Sequence, residues 1–210
     1  MEKSLKEKIK EHGFKVAVKY VLAHYLGTEY IKAHYLRLNI DIDKINQLLA
    51  DFDLDVKELA YDDFLKGDPN VFKDQKLEIY KKRCEDPTYK AYGIIENGRL
   101  IYSTWVSLHK MGMVIERGEV FLSPNEGYLE DSYCDPIARG RGLHGKMNNF
   151  RIKKIYEAGK NRVIAIVQDG NTPAMKVQLK SGLEEIGHFY HGYIFGIKFN
   201  TLKKSKFNSK

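Results

Sequence analysis

From Asp135 to Met147 the chain reads D-P-I-A-R-G-R-G-L-H-G-K-M, with glycines at Gly140, Gly142 and Gly145. Glycine lets a backbone turn tightly and lets a ligand approach where a Cβ would stand in the way. The run opens a predicted helix, whose first N–H groups lack partners and whose N-terminus is partly positive. Arg139, Arg141 and Lys146 add full charges beside it. Together they describe an anion site suited to a pyrophosphate. Two well-known phosphate loops do not fit. GxxxxGK[ST] needs Ser or Thr where Met147 stands. GxGxxG is present literally as Gly140–Gly145, but the next predicted strand, Arg162–Val167, is followed by Gln168 rather than an acidic residue.

Carboxylates gather just upstream. Glu126, Glu130 and Asp131 lie in or beside the predicted strand Tyr128–Cys134 that runs into the loop. A carboxylate there can take a proton from a nucleophile, directly or through water. Successive strand residues point to opposite faces, so only one of Glu130 and Asp131 faces a cleft unless a bulge intervenes. Downstream, Asn171-Thr172-Pro173-Ala174 opens a helix that Gly182 closes.

These segments resemble the signature of the GNAT superfamily of N-acyltransferases. There, a strand and a Pro lead into Arg/Gln-x-x-Gly-x-Gly/Ala at a helix start. Arg139-Gly140-Arg141-Gly142-Leu143-His144 matches except at His144, where the family has a small residue. The second match is Asn171-Thr172-Pro173-Ala174, with Gly182-Leu183 in the place of the family's Gly-Phe. The resemblance covers residues 90–200 well and extends to 53–90. It implies that acetyl-coenzyme A, or another acyl-CoA, is the co-substrate, held by Cys134, Arg139, Arg141, Gly142, Leu143, His144, Gly145, Lys146 and Asn171. The backbone N–H groups of Arg141 to Gly145 would take the pyrophosphate, and the pantetheine arm would lie along Tyr128–Cys134 where it splays from Arg162–Val167. An N–H near Tyr133 or Cys134 would polarise the thioester. Asp131 and Glu130 are the candidate bases, with Asp131 ahead, because Asp131-Ser132-Tyr133 resembles a subgroup found with surface-polysaccharide genes. The family's usual acid, a Tyr seven residues after the Asn, is Gln178 here. Tyr133, Tyr190 or water would substitute, or the thiolate would leave unprotonated. His144 reads as a phosphate contact and Cys134 as packing.

The elements that must position these residues follow from periodicity. A helix is predicted over 4–26, broken at Gly13, followed by a strand over His34–Ile42 and a short helix over Asp43–Ala50. Val56–Leu59 reads as a strand, and Asp62–Glu85 as mainly helical with a break at Gly67-Asp68-Pro69. Tyr89–Ile95 and Arg99–Leu108 flank an Asn97-Gly98 turn, a hairpin signal. Glu119–Leu122 is a short strand, His144–Ala158 and Asn171–Ser181 are helices, and Ile186–Phe199 is a last strand or hairpin. The expected fold is α+β with α/β-like character: a GNAT-type mixed, mostly antiparallel central sheet flanked by helices. Residues 1–50 form an N-terminal extension of helix and strand, 51–202 the acyltransferase domain, and 203–210 a basic tail.

Composition narrows the classes. The chain has 210 residues, 43% hydrophobic and 12% aromatic, enough for a sizeable core. Its net charge of +7 suits an anionic partner. Two cysteines without a CxxC argue against a disulfide scaffold and for a reducing, cytoplasmic setting. Seven scattered histidines and no HExxH lead to an expectation of no metal. The run Phe14–Leu26 is interrupted by Lys15, Lys19 and His24 and is too short to span a bilayer, although residues 4–26 suit peripheral membrane contact. The expected partner is a small-molecule amine, such as a nucleotide-linked amino sugar. An acidic acyl carrier protein as donor and a homodimer are also compatible. A non-catalytic basic module for nucleic acid or membrane is the competing class. It is disfavoured because Tyr20, Tyr25, Tyr30 and Tyr35 share neither a helix face nor a strand face, so no nucleic acid is expected.

Overall fold

The computed structural model describes residues 29–111, 120–195 and 197–204. The helix expected over 4–26 lies outside these, as do residues 205–210. The strands are β1 (Glu29–Asn39), β2 (Lys57–Glu58), β3 (Tyr89–Glu96), β4 (Arg99–Ser107), β5 (Lys110–Met111), β6 (Val120–Phe121), β7 (Glu126–Cys134), β8 (Arg162–Gln168), β9 (Glu184–Ile194) and β10 (Ile197–Lys204). The helices are α1 (Ile42–Leu48), α2 (Tyr61–Phe64), α3 (Asp74–Glu85), α4 (Leu143–Glu157) and α5 (Thr172–Lys180). Eight strands make one sheet in the order β10-β9-β1-β8-β7-β4-β3-β2, and β5 pairs with β6 apart from it.

Every pairing in the large sheet is antiparallel except β7 with β8. The expected mixed, mostly antiparallel sheet is therefore present. The β3–β4 hairpin turns at Asn97 and Gly98, whose φ values of 50° and 77° are the pair a tight two-residue hairpin requires. The strand expected at His34–Ile42 sits earlier, at Glu29–Asn39, because Asp41 caps α1 through Lys44 N–H and ends the extended run. That strand lies inside the sheet, between β8 and β9. The sheet thus takes in residues from before position 51, and β10 runs on to Lys204.

Helices cover both faces. On one, α1 and α4 close over Leu36, Ile101, Tyr102, Val106, Leu129 and Val163. On the other, α2 and α3 enclose an aromatic cluster: Trp105 stacks on Phe64 with centroids 5.3 Å apart, and Tyr80 meets both edge-on. The candidate site lies where β7 and β8 part between these two layers.

Candidate active site

The cleft begins as a gap in pairing. β7 and β8 are paired only from Glu126/Arg162 to Leu129/Ala165, yet they run on to Cys134 and Gln168. The unpaired ends form a fork, and a cavity of about 890 Å³ opens there, lined by β7 from Leu129 to Cys134, the glycine loop, and α5 from Pro173 to Gln178. The sequence expectation of a splayed strand pair with the loop at one end is met by this geometry.

Asp135 holds the loop in place. Fully buried, it accepts Ile137 N–H at 3.0 Å, Arg99 at 2.7 and 2.8 Å, and the Tyr133 hydroxyl at 3.2 Å. These bonds outweigh its desolvation and keep its carboxyl below the usual range. Gly140 and Gly142 take φ of 81° and 73°, and Gly142 is the N-cap of α4 without any side-chain cap. Gly145 carries no such backbone demand, and a Cβ at any of the three would meet nothing within 4 Å. The N-terminus of α4 thus lacks a side-chain cap, and its glycines leave room beside it. That cradle fits a pyrophosphate.

The candidate cofactor residues divide. Cys134, Arg139, Gly142, Leu143, His144, Gly145 and Asn171 line the cavity; the side chains of Arg141 and Lys146 do not. Arg141 forms a two-pronged pair with Glu96 at 2.7 and 2.9 Å, and Lys146 meets Asp53 at 2.5 Å. Each guanidinium or ammonium is drawn to the nearest carboxylate, so the loop offers backbone rather than these two charges. Asn171 commits its side-chain oxygen to capping α5 through Ala174 N–H at 3.2 Å. Cys134 has its thiol pushed up by burial, which suits packing rather than nucleophilic attack. His144 Nδ1 lies 2.6 Å from the Tyr102 hydroxyl, and burial with the nearby Arg151 charge lowers its pKa to about 4.

The two candidate bases lie on the same side of β7 because the strand bulges. The register with β4 jumps from Thr104/Ser132 to Trp105/Glu130, leaving Asp131 unpaired at φ 27°. Both carboxylates then reach α3. Glu130 is buried and ion-paired with Arg83. Asp131 accepts the Tyr80 hydroxyl at 2.5 Å, lies 3.6 Å from Arg83, and keeps 32% of its side chain exposed. Tyr80 is held protonated by burial and by the Asp131 charge. Tyr133 points to the aromatic cluster, donates to Asp135, and has its pKa pushed up to about 12, chiefly by burial.

Gln178, in the position expected of an acid, is buried and accepts from Asn148 at 3.2 Å. Asn148 also bonds Ser181 at 2.9 Å and accepts from Arg151 at 2.7 Å. Buried Arg151 in turn donates to the Glu130 carbonyl at 3.1 Å, immediately past the last β7–β8 pair. It occupies the floor of the fork and satisfies a carbonyl that β8 no longer reaches. Sequence reasoning missed Arg151, Asn148, Tyr80 and Arg83. The available signal was polar residues at His144, Asn148 and Arg151, spaced i, i+4, i+7 along the buried face of α4.

No protein-family model matches the sequence, and no curated protein is recognisably similar to it. Solved structures are. A functionally unknown conserved protein from Staphylococcus epidermidis superposes with a TM-score of 0.57 at 13% identity, covering 84% of this chain and 66% of that one. A GNAT-family acetyltransferase from Colwellia psychrerythraea gives 0.55 at 14%, covering 76% and 54%. AAC(6')-Iy in complex with the bisubstrate analogue CoA-S-monomethyl-acetylneamine gives 0.50 at 14%, covering 62% and 90%. This chain thus spans just under two thirds of the Staphylococcus protein and about half of the Colwellia enzyme. At these identities the likeness is one of fold, and the fold is that of the GNAT acetyltransferases.

Proposed function

We propose that this chain is an N-acyltransferase moving an acyl group, acetyl in the simplest case, from coenzyme A to a primary amine by direct transfer. The observation that carries this reading is the β7–β8 fork, with an open glycine cradle at one end and an accessible carboxylate at its bulge. A pyrophosphate would sit on the N–H groups from Arg141 to Gly145, with pantetheine along β7 and Asn171 opposite. An N–H near Tyr133 or Cys134 would draw charge onto the thioester oxygen. Asp131, steadied by Tyr80 and Arg83, would take the proton from the attacking amine, directly or through water. The amine nitrogen then bonds to the carbonyl carbon, and the C–S bond breaks with its electron pair going to sulfur. Gln178 is a neutral amide that cannot act as an acid, and the Tyr133 hydroxyl is engaged by Asp135. The thiolate therefore leaves as an anion or takes a proton from water. The buried Arg151 charge lining the cleft favours it.

The net charge of +7 supports a phosphate-bearing acceptor such as a nucleotide-linked amino sugar. The decisive assay is release of free thiol from acetyl-coenzyme A across a panel of amines, amino sugars and nucleotide-linked amino sugars. The reading predicts amine-dependent release. It fails if no amine accelerates release and calorimetry detects no coenzyme A binding.

A further inference from the structure

A second cluster of chemistry-bearing residues lies away from the fork, on the β1–β9 pair. His34 stands directly opposite His188 in that register, so both rings share a face. β9 bulges next to them. Tyr35 pairs with Gly187 and Leu36 with Glu185, leaving Ile186 as an extra residue, and this returns Glu185 to the face of His188. One Glu185 oxygen, Oε1, lies 3.1 Å from His34 Nδ1 and 3.3 Å from His188 Nδ1. Both Nδ1 atoms are shut off from solvent, and neither makes a hydrogen bond among the described residues. Two imidazole nitrogens thus converge on one oxygen without bonding it.

That spacing has a chemical meaning. Ligands about 2.0–2.1 Å from a tetrahedral Zn²⁺ stand about 3.3–3.4 Å from one another. The His188 separation of 3.3 Å matches that edge, the His34 separation of 3.1 Å is slightly shorter, and the ligand atoms of all three residues fall within 4.8 Å of one another. The outer nitrogen of His34, Nε2, lies 3.4 Å from Asp169 Oδ1. A carboxylate behind a histidine is the arrangement that fixes the tautomer and aims the other nitrogen at a metal.

We propose that His34, His188 and Glu185 bind one divalent transition-metal ion of the Zn²⁺ class, with Asp169 orienting His34 from behind. Two imidazoles and a carboxylate favour that class over Mg²⁺ or Ca²⁺, which prefer oxygen ligands. The ion would tie β1 to β9. The proposal does not depend on the acyltransfer reading. It runs against the sequence expectation of no metal, because ligands at 34, 185 and 188 fall into no recognisable spacing until β1 and β9 pair.

The test uses the full chain, stripped with a chelator and then titrated with Zn²⁺ alone by calorimetry and with Co²⁺ by visible absorption. We expect one ion per chain, intense tetrahedral Co²⁺ bands and a higher melting temperature with Zn²⁺. His188→Gln and the near-isosteric Glu185→Gln should weaken binding more than about 100-fold. Asp169→Asn should weaken it about tenfold at unchanged stoichiometry. The site is refuted if the stripped chain binds no Zn²⁺, or if both ligand variants bind it like the parent, which would place the ion on other histidines. If His188→Gln fails to fold, Glu185→Gln decides alone. Unchanged affinity in Asp169→Asn would overturn the orienting role.

Discussion

Asp131 and Glu130 are chain neighbours of the same chemical type, yet their surroundings assign them different work. Buried Glu130 is the main partner of the Arg83 guanidinium, so truncating it leaves that charge with only Asp131, 3.6 Å away. Glu130→Ala is expected to cost about 3 kcal/mol of stability in a urea titration. Asp131 keeps contact with solvent and with the cleft, and Asp131→Asn is expected to lower kcat much more than it weakens coenzyme A binding. Equal losses in both would mark it as structural. His144 sets a pH signature. Its folded pKa of about 4 lies below the model-peptide value of about 6.5, so the unfolded chain binds its proton first as pH falls. The stabilisation from holding the ring neutral is complete above about pH 6.5 and drains away down to about pH 4. Between pH 7.5 and 5 this amounts to about 2 kcal/mol, which His144→Gln should remove from the pH dependence of unfolding. The sequence pointed to Asp131 over Glu130 by resemblance alone. The physical distinction between them was hidden because Tyr80 and Arg83 lie some fifty residues upstream and become partners only when α3 packs on β7.

At the scale of elements, the glycine loop was the most legible part of the molecule. Local backbone rules decide it: Gly140 and Gly142 need positive φ, and α4 needs an open first turn. What the local pattern missed was the fate of the flanking charges, since Glu96 and Asp53, which hold Arg141 and Lys146, come from distant segments. The β7 bulge was equally hidden, because it comes from register with β4 rather than from β7's own residues. Gly145 offers a discriminating measurement. Neither its backbone nor its packing requires glycine, and alanine is the better helix former by about 0.5–1 kcal/mol. Gly145→Ala is therefore expected to raise the melting temperature while weakening coenzyme A binding, because its methyl group enters the cradle. Gains in both would remove Gly145 from the binding surface. Gly142→Glu should abolish coenzyme A binding in calorimetry by placing a bulky anion among the phosphates, and unchanged affinity would overturn the loop assignment.

The whole molecule is organised around a strand from outside the segment that resembles a known family. The alternation around His34–Ile42 announced β1, but periodicity shows only that a strand has one buried face, not which strands it joins. β1 joins β8 on one edge and β9 on the other, so it connects the fork-bearing half of the sheet to the C-terminal hairpin. It also supplies His34 to the proposed metal site and fully buried Leu36 to the core under α4. A strand with neighbours on both sides cannot be removed without exposing two rows of main-chain N–H and C=O groups. A chain beginning at residue 51 should accordingly fail to give a cooperative melt. The milder Leu36→Ala is expected to cost about 3 kcal/mol while leaving coenzyme A binding intact below the melting temperature. If instead the truncated chain melted cooperatively and bound coenzyme A like the full chain, β1 would be an accessory laid against a complete domain. β9 would then have to find its place beside β8 unaided, with the Glu185 and His188 ligands left without His34.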